Sequence, residues 1–89
     1  MKLVCKVKVK NALGLHTRPA AAIVKLLQPQ KSSVSFTYRN ETVNARSIMS
    51  ILMLAARKNT QLIVTVDGED AEVTMKRLLA AFEEEFGEK

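Results

Sequence analysis

Ser33-Val34-Ser35-Phe36-Thr37-Tyr38-Arg39-Asn40-Glu41-Thr42-Val43-Asn44 is the stretch on which the fold turns. Val34, Phe36 and Tyr38 alternate with Ser33, Ser35 and Thr37, the period of two expected of a half-buried strand. Arg39-Asn40 reads as a two-residue turn, with Asn40 tolerating a left-handed conformation. A short strand from Glu41 to Asn44 completes a hairpin. Ser47 follows as the N-cap of a helix running from Ile48 to Ala55.

On the N-terminal side, residues 2–10 alternate again. Leu3, Cys5, Val7 and Val9 share one face, and Lys6, Lys8 and Lys10 form a solvated row on the other. Asn11 to Thr17 is a loop in which Gly14 is free to take a positive φ. Pro19 suits the first turn of a helix, and Ala20, Ile23, Val24 and Leu27 give that helix an apolar stripe. Pro29 ends it by pushing Gln28 out of helical geometry.

On the C-terminal side, Lys58-Asn59 closes the second helix and the β-branched run Leu62 to Val66 is the expected central strand. Asp67-Gly68-Glu69-Asp70 turns the chain and caps a last helix. Met75, Leu78, Leu79, Phe82 and Phe86 form its stripe, with Glu83-Glu84-Glu85 on the solvated side. The order β-α-β-β-α-β-α predicts an α+β fold of one domain spanning 1–89. Three helices would lie on one face of a four-stranded, mainly antiparallel sheet.

The chain has 89 residues, 47% hydrophobic and 26% charged, which is globular usage. A chain of this size buries only about 60–65% of its unfolded surface, which leaves no volume for a deep substrate cavity. Chemistry should therefore sit on the surface and be completed by a partner. The lone cysteine, Cys5, has no partner for an internal disulfide, and one cysteine with one histidine does not make a dedicated zinc site. Met1-Lys2-Leu3 opens without an apolar signal core, and no apolar run approaches about 18 residues. A cytoplasmic protein without membrane insertion is the expectation, and Asn40-Glu41-Thr42 is then a chance glycosylation sequon. Residues 1–66 hold 11 Lys/Arg against one acid, Glu41, whereas 67–89 hold 3 against 8 acids. Such a basic body suits an acidic partner, an anionic ligand or nucleic acid.

His16 sits where a loop enters a helix, in Gly14-Leu15-His16-Thr17-Arg18-Pro19-Ala20. First-turn N–H groups lack intrahelical acceptors and the helix dipole adds positive potential, the ordinary physics of a phosphate site. The same field favours a neutral ring with a nucleophilic nitrogen. Arg18 can clamp phosphate oxygens in a bidentate, charge-assisted way. Thr17 offers a backbone donor or its hydroxyl. The plainer reading of His16 is a loop residue, against which Pro19 and Arg18 weigh. Ser47 is first a cap, to which modification could be added: the dipole would tolerate a phosphate, and Arg46 could pair with it. The helix after it is apolar nearly all round, more than a small domain can bury, so part of it should form a docking patch.

These segments resemble the HPr family, the histidine-containing phosphocarriers of the bacterial phosphoenolpyruvate-dependent phosphotransferase system. Gly14-Leu15-His16-Thr17-Arg18-Pro19-Ala20-Ala21 is similar to its active-site segment, and Val43-Asn44-Ala45-Arg46-Ser47-Ile48-Met49 to its serine-site segment. Val66-Asp67-Gly68-Glu69-Asp70 matches the turn before its final helix, so the resemblance spans essentially the whole chain. It implies a carrier rather than an enzyme, without cofactor or metal. Enzyme I would place a phosphoryl group on Nδ1 of His16, and enzyme IIA would receive it. Arg18 and Thr17 would hold the phosphate, while Met49, Ile48, Leu52, Ala21 and Lys25 would meet partners. HPr kinase/phosphorylase would act on Ser47, and a monomer suits transient complexes. Thr17 replaces the family's usual alanine, and Ser50 and Asn59 stand where glycine is common. The turn at Arg39-Asn40 also lacks the common glycine.

Two rival readings have discriminating features. RNA-recognition modules share the β-α-β-β-α-β order, but they stack bases on strand aromatics, and Thr42-Val43-Asn44 offers none. A regulatory paralogue, of a nitrogen branch or controlled through Ser47, would be separated by which enzyme I charges it. A stand-alone enzyme is disfavoured by the single histidine and the lack of a nucleotide-binding glycine loop. The sugar or branch served is a property of the downstream partners.

Overall fold

Leu62, Val64 and Val66 have no exposed surface, and the strand that carries them forms the spine of the molecule. The computed structural model describes residues 1–89. Its elements are β1 (Lys2–Lys8), α1 (Thr17–Leu27), β2 (Ser33–Tyr38), β3 (Glu41–Asn44), α2 (Ile48–Met53), β4 (Gln61–Asp67) and α3 (Ala71–Glu83). A short 3-10 turn, Glu85–Gly87, follows α3. The sheet order is β1-β4-β2-β3, and every pairing is antiparallel rather than mainly so. Val64 stands opposite Cys5 on one side and Phe36 on the other, so one inward row crosses three strands.

The helices cover that row. Ala20, Ile23 and Leu27 of α1, Ile51 of α2, and Met75, Leu78 and Phe82 of α3 are buried against it. Phe82 meets Phe36 edge to face, with centroids 5.8 Å apart. The opposite sheet face carries Lys6 and Lys8 in solvent, as the alternation predicts.

Several boundaries differ from the sequence expectation. β1 ends at Lys8, although Val9 stays buried and bonds to Asn59 and Thr60. In the hairpin turn Arg39, not Asn40, takes the left-handed conformation at φ 57, and its guanidinium lies 5.1 Å from the Tyr38 ring centroid. α2 stops at Met53 instead of Ala55, because Ala55 turns out at φ 53. α3 stops at Glu83. Glu85, Phe86 and Gly87 all have positive φ, so Phe86 lies beyond the helix while its ring still packs on Phe82 at 4.9 Å.

Asp70 is the N-cap residue of α3, but its side chain makes no capping hydrogen bond. Its carboxylate accepts instead from the Ser32 hydroxyl and N–H, the Lys31 N–H and the Gln30 amide. The Ser32 hydroxyl, then the Lys31 N–H, hold the Asp70 carboxyl down at about 2. At the other end of α3, Lys10 Nζ bonds both Glu83 oxygens at 2.6 and 2.7 Å, and this hydrogen bonding lowers the Glu83 carboxyl.

Candidate functional site

The loop before α1 is held by two backbone bonds: Gly14 N–H to Asn11 O at 3.0 Å and Leu15 N–H to Ala56 O at 2.9 Å. Gly14 takes φ 70, and Leu15 is buried beneath it. His16 comes next in extended geometry as the N-cap residue of α1, with its side chain 31% exposed. The first helical bond runs from Ala20 N–H to His16 O, which leaves the N–H groups of Thr17 and Arg18 without intrahelical acceptors. Pro19, in the third helical position, has no N–H to satisfy. The His16 side chain does not cap these amides, and the exposed Thr17 and Arg18 flank them.

One neighbour of the ring was not anticipated. Glu88 Oε2 lies 2.8 Å from His16 Nε2, and Glu88 Oε1 accepts from the buried Asn11 Nδ2 at 2.5 Å. Asn11 Nδ2 also donates to the Glu85 carbonyl at 2.8 Å. The His16–Glu88 pair has the distance of an ion pair but not hydrogen-bond alignment, which leaves Nε2 without a formal hydrogen-bond partner. A recess of about 140 Å³ opens here, lined by Ala12, Leu13, His16, Glu85 and Glu88. A carboxylate therefore stands beside a ring for which only positive potential was expected.

Ser47 caps α2, as expected. Its Oγ accepts from Ser50 N–H at 3.2 Å, and the residue is half-buried. Arg46 does not face it as a phosphate partner. Its guanidinium donates to the carbonyls of Leu27, Gln30 and Ser32 at 2.6–2.7 Å, so it serves the end of α1. Only Ile51 of α2 is fully buried; Met49 is 69% exposed, Ile48 is at the surface and Leu52 is half-buried. Ala21 and Lys25 are exposed on α1. Leu13 and Met53, absent from the predicted patch, are more exposed still.

Asn11 and Glu88 are the residues that sequence reasoning missed. An asparagine directly after an alternating strand was the one available hint for Asn11. Glu88 carried none, since its bond to Asn11 joins chain positions 77 apart. No three His, Cys, Asp or Glu side chains gather as metal ligands, and no helix is long and apolar enough to cross a membrane.

The family model described as "PTS HPr component phosphorylation site" matches residues 4–84. The phosphocarrier protein HPr of Chlamydia pneumoniae is 45% identical over 80 residues, 90% of this chain and 74% of that protein. A crystal structure of HPr-C-His from Thermoanaerobacter tengcongensis superposes with TM-score 0.93 at 33% identity, covering 98% of both chains. The phosphocarrier protein HPr of Bacillus anthracis gives 0.84 at 33% identity over 89% of this chain and 94% of its own.

Proposed function

The chain belongs to the HPr family, the phosphocarriers that pass phosphoryl groups between components of the phosphotransferase system, and from that premise we propose that His16 is the carrying residue. The observation that carries this reading is the position of the only histidine: partly exposed, at a helix start with two unbonded amides, next to an unpaired arginine.

Nδ1 of His16 would attack phosphorus on charged enzyme I. A new N–P bond forms while the bond to enzyme I breaks, and its electron pair leaves with the donor. Transfer to a sugar-specific enzyme IIA runs the same exchange in the other direction. The chain's own contribution is positional and electrostatic. Arg18 and the Thr17 and Arg18 amides face the oxygens on which charge collects, and Thr17 adds a hydroxyl. The recess beside the ring is shallow, so a partner surface would exclude water. Met49, Ile48 and Leu52, with Ala21 and Lys25, supply an apolar and basic rim for that partner.

Residues 1–89 would work as one unit, a cytoplasmic monomer in transient complexes. Ser47 would be the substrate of HPr kinase/phosphorylase, whose product places a dianion beside Met49 and repels acidic partners. With Arg46 committed to the end of α1, that charge would remain unneutralised.

Phosphoenolpyruvate and enzyme I should place an acid-labile, alkali-stable phosphate on the chain. His16→Ala should abolish it. Arg18→Ala should slow transfer by roughly 10–1000-fold, the scale of losing a few kcal/mol of charge stabilisation. Undiminished labelling of the His16 variant would remove the assignment.

A further inference from the structure

We propose that Glu88 is a positioning residue for His16, fixing the ring proton on Nε2 so that the lone pair lies on Nδ1. This deepens the carrier reading and rests on it.

Glu88 has little access to solvent: its side chain is 18% exposed. A carboxylate is an acceptor only, so one held in this position needs donors. Two groups reach it: Asn11 Nδ2 on Oε1 and the imidazole on Oε2. A ring lone pair facing Oε2 at 2.8 Å would be repelled, whereas an N–H there is attracted. The neutral ring therefore keeps its proton on Nε2, which leaves Nδ1 as the nucleophile. The contact is poorly aligned in the free protein, as hydrogen bonds to reacting groups often are before a partner closes on them.

The chain is bent to deliver this carboxylate. Glu85 and Phe86 both take left-handed φ near 52–53, uncommon for side-chain-bearing residues. That bend is held by the Phe86–Phe82 ring contact and by the Asn11 bond to Glu85 O. Asn11, fully buried, thus anchors both the bend and the carboxylate. When Nδ1 bonds phosphorus while Nε2 keeps its proton, the ring becomes cationic and Glu88 offsets that charge. Breaking the N–P bond toward the next acceptor returns the ring to neutrality.

Glu88→Gln is the decisive variant because it preserves volume while inverting the donor pattern. Its amide oxygen should take the place of Oε1 opposite Asn11 Nδ2, which turns the NH2 toward His16 Nε2. Ring nitrogen chemical shifts, read by long-range nitrogen–proton NMR at alkaline pH, should show the wild-type proton on Nε2. They should show a shift of population toward Nδ1–H in Glu88→Gln, with Glu88→Ala between the two. Transfer from enzyme I to Glu88→Gln should slow by about 10-fold, the lower end for a group acting through another. An unchanged tautomer in both variants overturns the proposal, and so does wild-type transfer by Glu88→Gln. If the wild-type chain takes no phosphate on His16, the carrier reading falls, and the tautomer shift alone then decides the role of Glu88.

Discussion

Gly14 lies with its α-carbon against the carbonyl of Ala56, so close that a β-carbon would stand 2.3 Å from that oxygen. The loop bearing His16 is thereby locked to the segment that leaves α2, where Ala55 turns at φ 53 and Leu15 N–H reaches the same Ala56 carbonyl. The proposed transfer site and the proposed docking helix share one joint.

Gly14→Ala should therefore destabilise the protein by about 2–4 kcal/mol. About 1–2 kcal/mol would come from φ 70 and the rest from displacing backbone that cannot yield cheaply. Chemical denaturation measures the total. Phosphoryl transfer at a temperature where the variant stays folded should fall as well, because any relief of the clash must move the His16 loop.

The Asp70 carboxylate ties α3 to the entry of β2, and its titration gives a signed prediction. Folding lowers it from 3.8 to about 2, chiefly through the Ser32 hydroxyl. A depressed acid contributes stability that is fully present above its unfolded value, here near 4, and is lost as pH falls through about 2. Asp70→Asn should melt below wild type at neutral pH, and the two melting temperatures should converge between pH 4 and 2. A constant gap across that window would show that the bonds to Ser32 and Lys31 do not depend on the charge.

What the sequence made legible was local. The alternation of Val34, Phe36 and Tyr38, the spacing of Ile23 and Leu27, and the cap at Ser47 each depend on residues within one or two turns, and each is found as read. The placement of His16 and Arg18 at one helix start was legible for the same reason. Asp70 was misread because a cap and a bridge look identical in Asp-Gly-Glu-Asp; the amides of Lys31 and Ser32, far away in sequence, captured the carboxylate. Phe86 kept the four-residue spacing of a helix stripe, yet the same aromatic contact forms across a left-handed bend. Glu88 was invisible because it meets Asn11 and His16 only after the sheet has brought both chain ends together.

Arg46 provides a test of long-range capping. Its guanidinium fork holds the Leu27 carbonyl at the end of α1, which also accepts from Gln30 N–H, and the Gln30 and Ser32 carbonyls beyond the helix. Arg46→Met keeps much of the side-chain packing but strands the Gln30 and Ser32 carbonyls, at a cost of about 2–4 kcal/mol in urea denaturation. Arg46→Lys should recover only a part, because one ammonium does not reproduce a planar fork across Leu27, Gln30 and Ser32. Recovery of full stability by lysine would mean that charge, not geometry, is what α1 requires.

Ser47 separates capping from signalling. α2 has only six residues, so a missing cap is felt through the whole helix, and Ser47→Ala should cost about 1 kcal/mol. Aspartate caps as well as serine and adds an acid at the helix start, so Ser47→Asp should restore the stability that alanine loses. The two variants should then part company in function. Ser47→Ala removes a hydroxyl without placing charge beside Ile48 and Met49, and should accept phosphate from enzyme I at close to the wild-type rate. Ser47→Asp puts a negative charge at that apolar rim and should raise the enzyme I concentration needed for half-maximal transfer, more strongly at low salt because the repulsion is screened within about 10 Å at 0.1 M. Equal transfer by both variants at low salt would show that charge at Ser47 does not reach the docking surface.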